Sequence, residues 1–287
     1  METTDVHLPS PRQLTAQYGL EQRRRLGQCF LDNHRTLDAI VTAAGIEPRT
    51  PAVEIGAGPG YLTARIRKRT TRLWTLELDA RYRPVHEEYF GRLDPPVQFL
   101  YADALHFDWT DLLAAFAGEP YVVLGNIPYQ ITTPLIERLL ALTPLPARIV
   151  LLVQVELAQR LAAPPGRKAY GALTVKTALL AEVRQALFVP RQRFQPRPRV
   201  DSAAIVIEPR RPPLVAPERR AAVFELINAA FAHRRKKVIN SLLDAAFAGA
   251  DRATLEARFQ AAGVDSTLRA ETLPPAEFLR LADAFGL

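Results

Sequence analysis

Apolar runs and amphipathic segments alternate along the first two-thirds of the chain. Short apolar runs are typical of buried β-strands, and apolar residues recurring every three or four positions are typical of helices. The runs predict strands at residues 52–55, 73–76, 97–101, 121–125, 149–153, 183–188 and 203–207. Helical spacing predicts helices that include residues 37–44, 61–69, 132–142, 156–161 and 173–180. We therefore expect an α/β fold with seven strands, the last pair antiparallel because no long crossover is required between them.

The pattern changes after a proline-rich stretch at residues 209–213, beyond which every apolar stripe has helical spacing. One stripe consists of Val223, Leu226, Ile227, Ala230 and Phe231. The first twenty residues mix prolines with scattered polar residues. The sequence therefore predicts a loosely held arm at residues 1–20, an α/β domain at 21–209 and a small helical domain at 214–287.

A glycine-rich turn follows the first predicted strand. The strand contains Glu54, and Gly56, Gly58 and Gly60 then occupy alternate positions before a helix that begins at Tyr61. Glycine is needed where the backbone turns sharply and a ligand approaches at a place where a Cβ atom would collide. The turn predicts a nucleotide-like cofactor, with a purely structural strand-to-helix turn as the alternative.

Polar residues after the neighbouring strands narrow the choice of cofactor. Glu77 lies 23 positions after Glu54, about the separation expected when a second carboxylate binds ribose hydroxyls. Asp103 and Asn126 follow two further strands, whose carboxyl ends meet at one edge of the sheet. Glu54 would repel a pyrophosphate at the turn, whereas S-adenosylmethionine (SAM) has no phosphate and carries an ammonium and a sulfonium. We therefore favour SAM over NAD.

Several ordered motifs resemble those of the ribosomal RNA adenine N6-dimethyltransferases. They are Glu54-Ile55-Gly56-Ala57-Gly58-Pro59-Gly60-Tyr61-Leu62-Thr63, Glu77-Leu78-Asp79, Asp103-Ala104 and Asn126-Ile127-Pro128-Tyr129. Residues 26–31 are similar to the family's Gly-Gln-Asn-Phe-Leu segment, and residues 194–202 to its Phe-x-Pro-x-Pro-Lys-Val-Asp-Ser element. Residues 132–136, 234–236, 240–242 and 269–273 resemble signatures of the small-subunit branch. The resemblance runs from about Tyr18 to the end of the chain and implies a Rossmann-like SAM-dependent methyltransferase sheet.

The resemblance also implies a reaction and a substrate. The reaction is N6-dimethylation of two adjacent adenosines in the 3′-terminal hairpin of small-subunit (16S) rRNA, within the immature 30S subunit. The catalytic residues implied are Asn126, Ile127, Pro128, Tyr129 and Phe194. Asn126 and the Ile127 carbonyl would accept hydrogen bonds from the target amine, Pro128 would fix the turn, and Tyr129 and Phe194 would hold the two faces of the base.

Cofactor contacts are carried over in the same way. Glu77 would bind the ribose, Asp103 the adenine amino group and Gly56 the methionine part, and Leu31 would pack over the cofactor. The cofactor-binding set is completed by Cys29, Glu54, Gly58 and Asn126. Cys29 stands where the family has Asn, and a thiol is a weak hydrogen-bonding group. We therefore expect SAM affinity to depend here more on backbone groups and on Glu77 and Asp103.

The balance of charge points to an anionic partner. The chain has 37 Lys and Arg against 30 Asp and Glu, a net charge of +7 and a pI near 9.8. The basic cluster, defined as Arg234, Arg235, Lys236 and Lys237, is predicted to bind RNA. The alternative is structural, with a partly buried Arg234 paired to an acid. Arg23, Arg24 and Arg25 are either a solvated face or further phosphate contacts.

The remaining composition favours a cytoplasmic enzyme without a metal, and we expect the protein to be a monomer. One cysteine excludes an internal disulfide framework, and no apolar run has the length of a membrane span. The five histidines and the cysteine show no metal-ligand spacing. We interpret His86, His106 and His233 as surface or capping residues.

Three other functions remain open. The large-subunit rRNA methyltransferases of the macrolide-resistance type share the first four motifs. A ribosome-assembly or transcription-type binding factor on an inactive methyltransferase fold is the second alternative, which the intact motif at residues 126–129 disfavours. An NAD oxidoreductase is the third.

Overall fold

The computed structural model describes residues 5–20 and 28–287. The strands are β1 (Phe30–Leu31), β2 (Ala52–Ile55), β3 (Leu73–Glu77), β4 (Gln98–Tyr101), β5 (Val122–Asn126), β6 (Arg148–Gln154), β7 (Ala181–Val189), β8 (Phe194–Gln195) and β9 (Ser202–Pro209). The helices are α1 (Pro11–Tyr18), α2 (His34–Ala44), α3 (Tyr61–Arg67), α4 (Arg83–Phe90), α5 (Thr110–Ala114), α6 (Thr132–Leu139), α7 (Val155–Leu161), α8 (Ala172–Leu180), α9 (Arg220–Phe231), α10 (Val238–Asp244), α11 (Arg252–Ala262) and α12 (Pro275–Phe285).

A seven-stranded sheet forms the centre of the α/β fold, in the order β4-β3-β2-β5-β6-β9-β7. Strands β4, β3, β2, β5 and β6 are parallel, and β9 runs antiparallel to β6. All four residues of β2 are buried, as are Ile149–Val153 of β6, because central parallel strands are covered on both faces. The predicted seven-stranded sheet is confirmed, and β2, β3, β4 and β5 end at one edge.

Helix α2 covers the sheet with the stripe that its sequence predicted. Leu37, Ile40, Val41 and Ala44 are all buried. The helix begins where the Asn33 side chain accepts a hydrogen bond from the Thr36 N–H at 3.1 Å. Helix α2 packs on β5, β6 and β9, so the hydrophobic face is buried against the sheet.

The prediction of a loosely held arm at residues 1–20 is wrong for the part that the structure describes. Leu14 and Leu20 are buried, and Pro11–Tyr18 is helical. The Tyr61 hydroxyl donates to the Pro9 carbonyl at 2.6 Å, and Lys68 pairs with Asp5 at 2.6 Å. Apolar burial and these bonds attach the segment to α3, which scattered prolines in the sequence did not reveal.

The Cα positions divide the chain into two compact units. The first comprises the described residues up to Ala158 together with Arg184–Pro209, and the second comprises Gln159–Val183 and Arg210–Leu287. A change of unit after Pro209 agrees with the predicted boundary, but residues 159–183 do not belong with the rest of the predicted 21–209 domain.

Within the second unit, residues 159–183 pack with the C-terminal helices. Helix α8 packs on α9 and α12. The Tyr170 hydroxyl donates to the Leu273 carbonyl at 2.7 Å, and the Gly166 N–H donates to the Glu271 carbonyl at 2.7 Å. The α9 stripe of Val223, Leu226, Ile227 and Ala230 is buried as its spacing predicted.

Candidate cofactor and catalytic site

A cavity opens at the sheet edge where β2, β3, β4 and β5 end. Eleven of the predicted site residues line it: Cys29, Leu31, Glu54, Gly56, Gly58, Glu77, Asp103, Asn126, Ile127, Pro128 and Tyr129. These residues come from five separate stretches of sequence, all in the first unit. The strand order therefore assembles a single site from motifs far apart in the chain.

The glycine-rich turn shapes one wall of this cavity. The Gly56 N–H donates to the Leu76 carbonyl at 2.8 Å, which joins the turn to the end of β3. Gly60 has φ +105°, and a Cβ there would lie 2.6 Å from the ring of Phe90. Gly58 has φ +52°, and a Cβ there would lie 3.2 Å from Phe30. Both positions have a conformation that favours glycine, and a Cβ at either would crowd an aromatic ring of the protein itself.

Glu54 presents an unsatisfied carboxylate oxygen. Its side chain is fully buried, Oε2 accepts from the Thr63 hydroxyl at 2.5 Å, and Oε1 has no hydrogen-bond partner among the described residues. Burial raises the pKa of Glu54 from 4.5 to about 8, the Thr63 hydrogen bond opposes the rise, and the charge of Glu77 adds to it. A buried oxygen without a partner in a cavity wall fits a cationic group of a ligand, such as the ammonium of SAM.

Glu77 is held by backbone N–H groups on both oxygens. Oε2 accepts from Gly58 and Oε1 from Asp79, each at 2.7 Å. Burial raises the pKa of Glu77, and the two backbone hydrogen bonds oppose the rise. Each oxygen keeps a lone pair, so the carboxylate can still accept hydrogen bonds from ribose hydroxyls.

Asp103 lies at the more exposed end of the cavity. Its Oδ1 accepts from the Leu105 N–H at 2.9 Å, and its Oδ2 lies 3.1 Å from His106 Nδ1. The hydrogen bond from Leu105 and the contact with His106 hold the pKa of Asp103 below its usual value. Asp103 is therefore an ionised acceptor at neutral pH, as recognition of an adenine amino group requires.

Asn126 is oriented by the backbone of Cys29. Its Nδ2 donates to the Cys29 carbonyl at 3.2 Å. Because the amide nitrogen faces this carbonyl, Oδ1 is the atom left to accept from a ligand. Ile127 is buried, and Pro128 begins the short turn that carries Tyr129. The Tyr129 hydroxyl lies 2.6 Å from Ser202 Oγ, which fixes the orientation of the ring.

A two-stranded ribbon covers the cavity beside Asn126. In it, Leu31 pairs with Phe194 and Phe30 with Gln195. Leu31 is buried and lines the cavity, as predicted. Phe194, expected to close one face of the base, is instead buried at 5% exposure in the hydrophobic core and does not line the cavity. Phe194 and its pairing partner Leu31 both belong to the hydrophobic core.

Cys29 lies half-buried in the cavity wall, and burial raises the pKa of its thiol. Its carbonyl is the group that Asn126 contacts. Leu26 and Gly27 of the same motif lie outside the described residues, as do Arg23, Arg24 and Arg25.

His86 is a residue whose importance the sequence did not reveal. It is 2% exposed, so the prediction that it is a surface or capping residue is wrong. Its Nε2 lies 2.7 Å from the Gly58 carbonyl and its Nδ1 2.8 Å from the Tyr101 hydroxyl. Burial lowers the pKa of His86 from 6.5 to about 4, so the ring is neutral at pH 7.

The basic cluster belongs to the second unit, and two of its four side chains form ion pairs with acidic residues. Arg234 donates to Glu271 at 2.9 Å and to the Lys168 carbonyl, and Lys236 pairs with Asp244. The structural alternative for Arg234 is thus present, although its side chain remains half exposed. Arg235 and Lys237 are exposed and have no acid within ion-pair distance in the described part of the chain.

Within residues 5–20 and 28–287, no group of three or more His, Cys, Asp or Glu side chains is placed to hold a metal ion. Over the same ranges, none of the helices combines the length and the apolar character that crossing a membrane requires.

The sheet order, the glycine-rich turn and the acids at three strand ends define a Rossmann-like SAM-dependent methyltransferase. Residues 19–286 match the family described as ribosomal RNA adenine dimethylase, and the chain belongs to that family. A relative named Ribosomal RNA small subunit methyltransferase A from Geobacillus thermodenitrificans is 38% identical over 98% of this chain and 97% of its own length. The protein of that name from Anaeromyxobacter sp. (strain K) is also 38% identical, over 98% of this chain and 99% of its own.

Two solved structures are similar over most of the chain. The 23S rRNA methyltransferase ErmE has a TM-score of 0.68 and 27% identity, covering 90% of this chain and 100% of its own. A dimethyladenosine transferase from Plasmodium falciparum has a TM-score of 0.72 and 25% identity, covering 90% and 97%. The predicted family, the Rossmann-like fold and the SAM cofactor are confirmed by these comparisons.

Proposed function

We propose that the chain dimethylates the N6 amines of two adjacent adenosines in the 3′-terminal hairpin of small-subunit rRNA, with SAM as methyl donor, in immature 30S subunits. The observation that carries this proposal is the orientation of Asn126, whose Oδ1 is left to accept from an amine while Nδ2 is held by Cys29. The names of relatives 38% identical to this chain support the small-subunit substrate. We further propose that the protein acts as a monomer in the cytoplasm.

The proposed chemistry begins with the target amine. An exocyclic adenine amine is a poor nucleophile because its lone pair is delocalised into the ring. SAM, when bound, supplies an electrophilic methyl group on a sulfonium. The chain's part is to accept hydrogen bonds at Asn126 Oδ1 and at the Ile127 carbonyl, which hold the amine and favour a more tetrahedral nitrogen. Neither acceptor is charged and neither acts as a base at neutral pH. The methylated amine therefore loses its extra proton to solvent after the transfer.

Tyr129 holds the base in this proposal. Its hydroxyl is engaged by Ser202, so the ring cannot turn away from the cavity without losing that bond. Stacking of a base on such a ring contributes about 1–3 kcal/mol. Phe194 lies in the core, so we assign the stacking to Tyr129. The basic cluster, chiefly Arg235 and Lys237, is proposed to contact phosphates.

The large-subunit alternative receives support from one observation. ErmE is a 23S rRNA methyltransferase with a TM-score of 0.68 to this chain. Its 27% identity is lower than the 38% of the relatives named for the small subunit, and we therefore propose the small-subunit substrate.

One experiment separates these functions. The purified protein would be incubated with methyl-labelled SAM and either immature small subunits or large-subunit rRNA, and the labelled nucleosides would be identified by mass spectrometry. We expect N6,N6-dimethyladenosine in small-subunit rRNA. Label confined to large-subunit rRNA would establish the alternative activity. SAM binding without transfer to either RNA would indicate a non-catalytic assembly factor.

A further inference from the structure

His86 has both ring nitrogens engaged, although it does not line the cavity. A backbone carbonyl can only accept a hydrogen bond, so the nitrogen facing Gly58, Nε2, carries the proton. Nδ1 is then the acceptor, and the Tyr101 hydroxyl donates to it at 2.8 Å. The surroundings therefore fix one neutral tautomer of His86.

Gly58 transmits this contact to the cavity. Its carbonyl accepts from His86, and its N–H donates to Glu77 Oε2 at 2.7 Å. Gly58 is thus held at both of its backbone polar groups. It has a left-handed conformation, and because a glycine can adopt many others, these two hydrogen bonds restrict it. A continuous series of hydrogen bonds runs from Tyr101 through His86 and Gly58 to Glu77.

The far end of this series is firmly packed. The His86 ring stacks on Phe99 with centroids 3.9 Å apart and planes 16° apart. The Arg83 guanidinium lies over the Tyr101 ring, 4.2 Å from its centroid. His86 therefore cannot move with Gly58 if the turn changes conformation, and such a change would break their hydrogen bond. The turn is in this way anchored to α4.

We propose that His86 is a positioning residue for the cofactor: its Nε2–H holds the Gly58 carbonyl and so fixes the turn and the Glu77 carboxylate in the orientation that binds SAM. This inference rests on the proposed SAM-dependent function. His86 acts through Gly58 and Glu77, so its loss should weaken cofactor binding much more than the rate at saturating cofactor.

A set of variants tests this assignment. His86→Phe keeps an aromatic ring against Phe99 but removes the donor, whereas His86→Gln keeps an N–H donor of similar reach. Tyr101→Phe removes the hydroxyl that fixes the tautomer. Tyr121→Phe is the matched control for Tyr101→Phe. It also removes a tyrosine hydroxyl that makes a hydrogen bond, to the Pro144 carbonyl at 2.9 Å, and Tyr121 is a buried residue that does not line the cavity.

We expect the Kd for S-adenosylhomocysteine and the KM for SAM to rise about tenfold or more in His86→Phe, because the Gly58 carbonyl loses the donor that the buried His86 provides. Both constants should stay within about threefold of wild type in His86→Gln and in the Tyr121→Phe control, and kcat should change by less than about threefold throughout. Equal affinities in wild type and His86→Phe would overturn the inference. A wild type that binds no cofactor would instead overturn the proposed function.

A spectroscopic measurement on the unaltered protein gives a second test. ¹⁵N-edited spectra of the imidazole rings, with His86 assigned by its absence in His86→Gln, should show a protonated Nε2 and an unprotonated Nδ1 at pH 7. In Tyr101→Phe this tautomer should become less exclusive. A protonated Nδ1 in the wild-type protein would contradict the bond to Gly58 and overturn the inference.

Discussion

Replacing Glu54 with Gln should abolish a proton release that accompanies SAM binding. Glu54 is fully buried, no group in the described part of the chain hydrogen-bonds to Oε1, and burial raises the pKa of Glu54 to about 8. At pH 7 a carboxyl with that pKa is protonated in about nine-tenths of the molecules. We expect the ammonium of SAM to lie near Oε1, where a positive charge favours the ionised form and drives the proton off.

The magnitude follows from the raised pKa. Moving the pKa from 4.5 to about 8 corresponds to a penalty of about 5 kcal/mol for the ionised form in the free protein. A bound cation that restores an ordinary pKa should release about 0.9 proton per protein at pH 7, about 0.5 at pH 8 and about 0.1 at pH 9. The decline with rising pH distinguishes Glu54 from a group that is already ionised.

Isothermal titration calorimetry in buffers of different ionisation enthalpy counts these protons. The difference between wild type and Glu54→Gln removes the contribution of the cofactor's own amine. Asp103→Asn is the matched control, because the pKa of Asp103 is lowered and its carboxylate is already ionised at pH 7. Proton counts that agree between wild type and Glu54→Gln at pH 7 would refute the assigned role of Glu54.

Three further predictions concern other parts of the molecule. The pKa of His86 falls from 6.5 to about 4 on folding, so between these pH values the unfolded chain binds more protons than the folded protein. As the pH falls from about 6.5 to about 4, urea unfolding should therefore show wild type losing up to about 3 kcal/mol of unfolding free energy relative to His86→Phe. Parallel pH profiles of the two proteins would contradict this. Iodoacetamide should alkylate Cys29 more slowly with saturating S-adenosylhomocysteine, and Cys29→Asn should keep or improve SAM affinity, whereas equal alkylation of a reactive thiol would place it outside the pocket. Neutralising Arg235 and Lys237 should lower the log–log salt slope of RNA binding by roughly 0.7 to 0.9 per lost phosphate contact, with SAM affinity unchanged; an unaltered slope would leave these two residues as a solvated face.

The sequence was most informative where a strand is buried on both faces. The run that became β6 is continuously apolar from Ile149 to Val153 and β2 is apolar apart from Glu54, so the ends of both strands could be predicted to within one residue. It could then also be predicted that the residues at the ends of β2 to β5 lie together, because parallel strands present their carboxyl ends at one edge of the sheet.

The sequence was least informative where a contact joins distant segments. The ribbon of Phe30–Leu31 with Phe194–Gln195 consists of two-residue strands, too short for a periodic signal. Helical spacing in Ala172–Leu180 predicts an apolar face but not which unit buries it. His86 is one of several polar residues in α4, and only the structure shows that it contacts Gly58.

The most direct test of the account is single-turnover methyl transfer to immature small subunits by wild type and Asn126→Ala, with SAM affinity measured in parallel. Asn126 Oδ1 is assigned to the target amine, while Nδ2 bonds to the Cys29 carbonyl. Loss of an aligned acceptor should raise the barrier by about 3 kcal/mol, which slows transfer a hundredfold or more, with SAM affinity reduced far less. Transfer by Asn126→Ala at the wild-type rate would contradict the account.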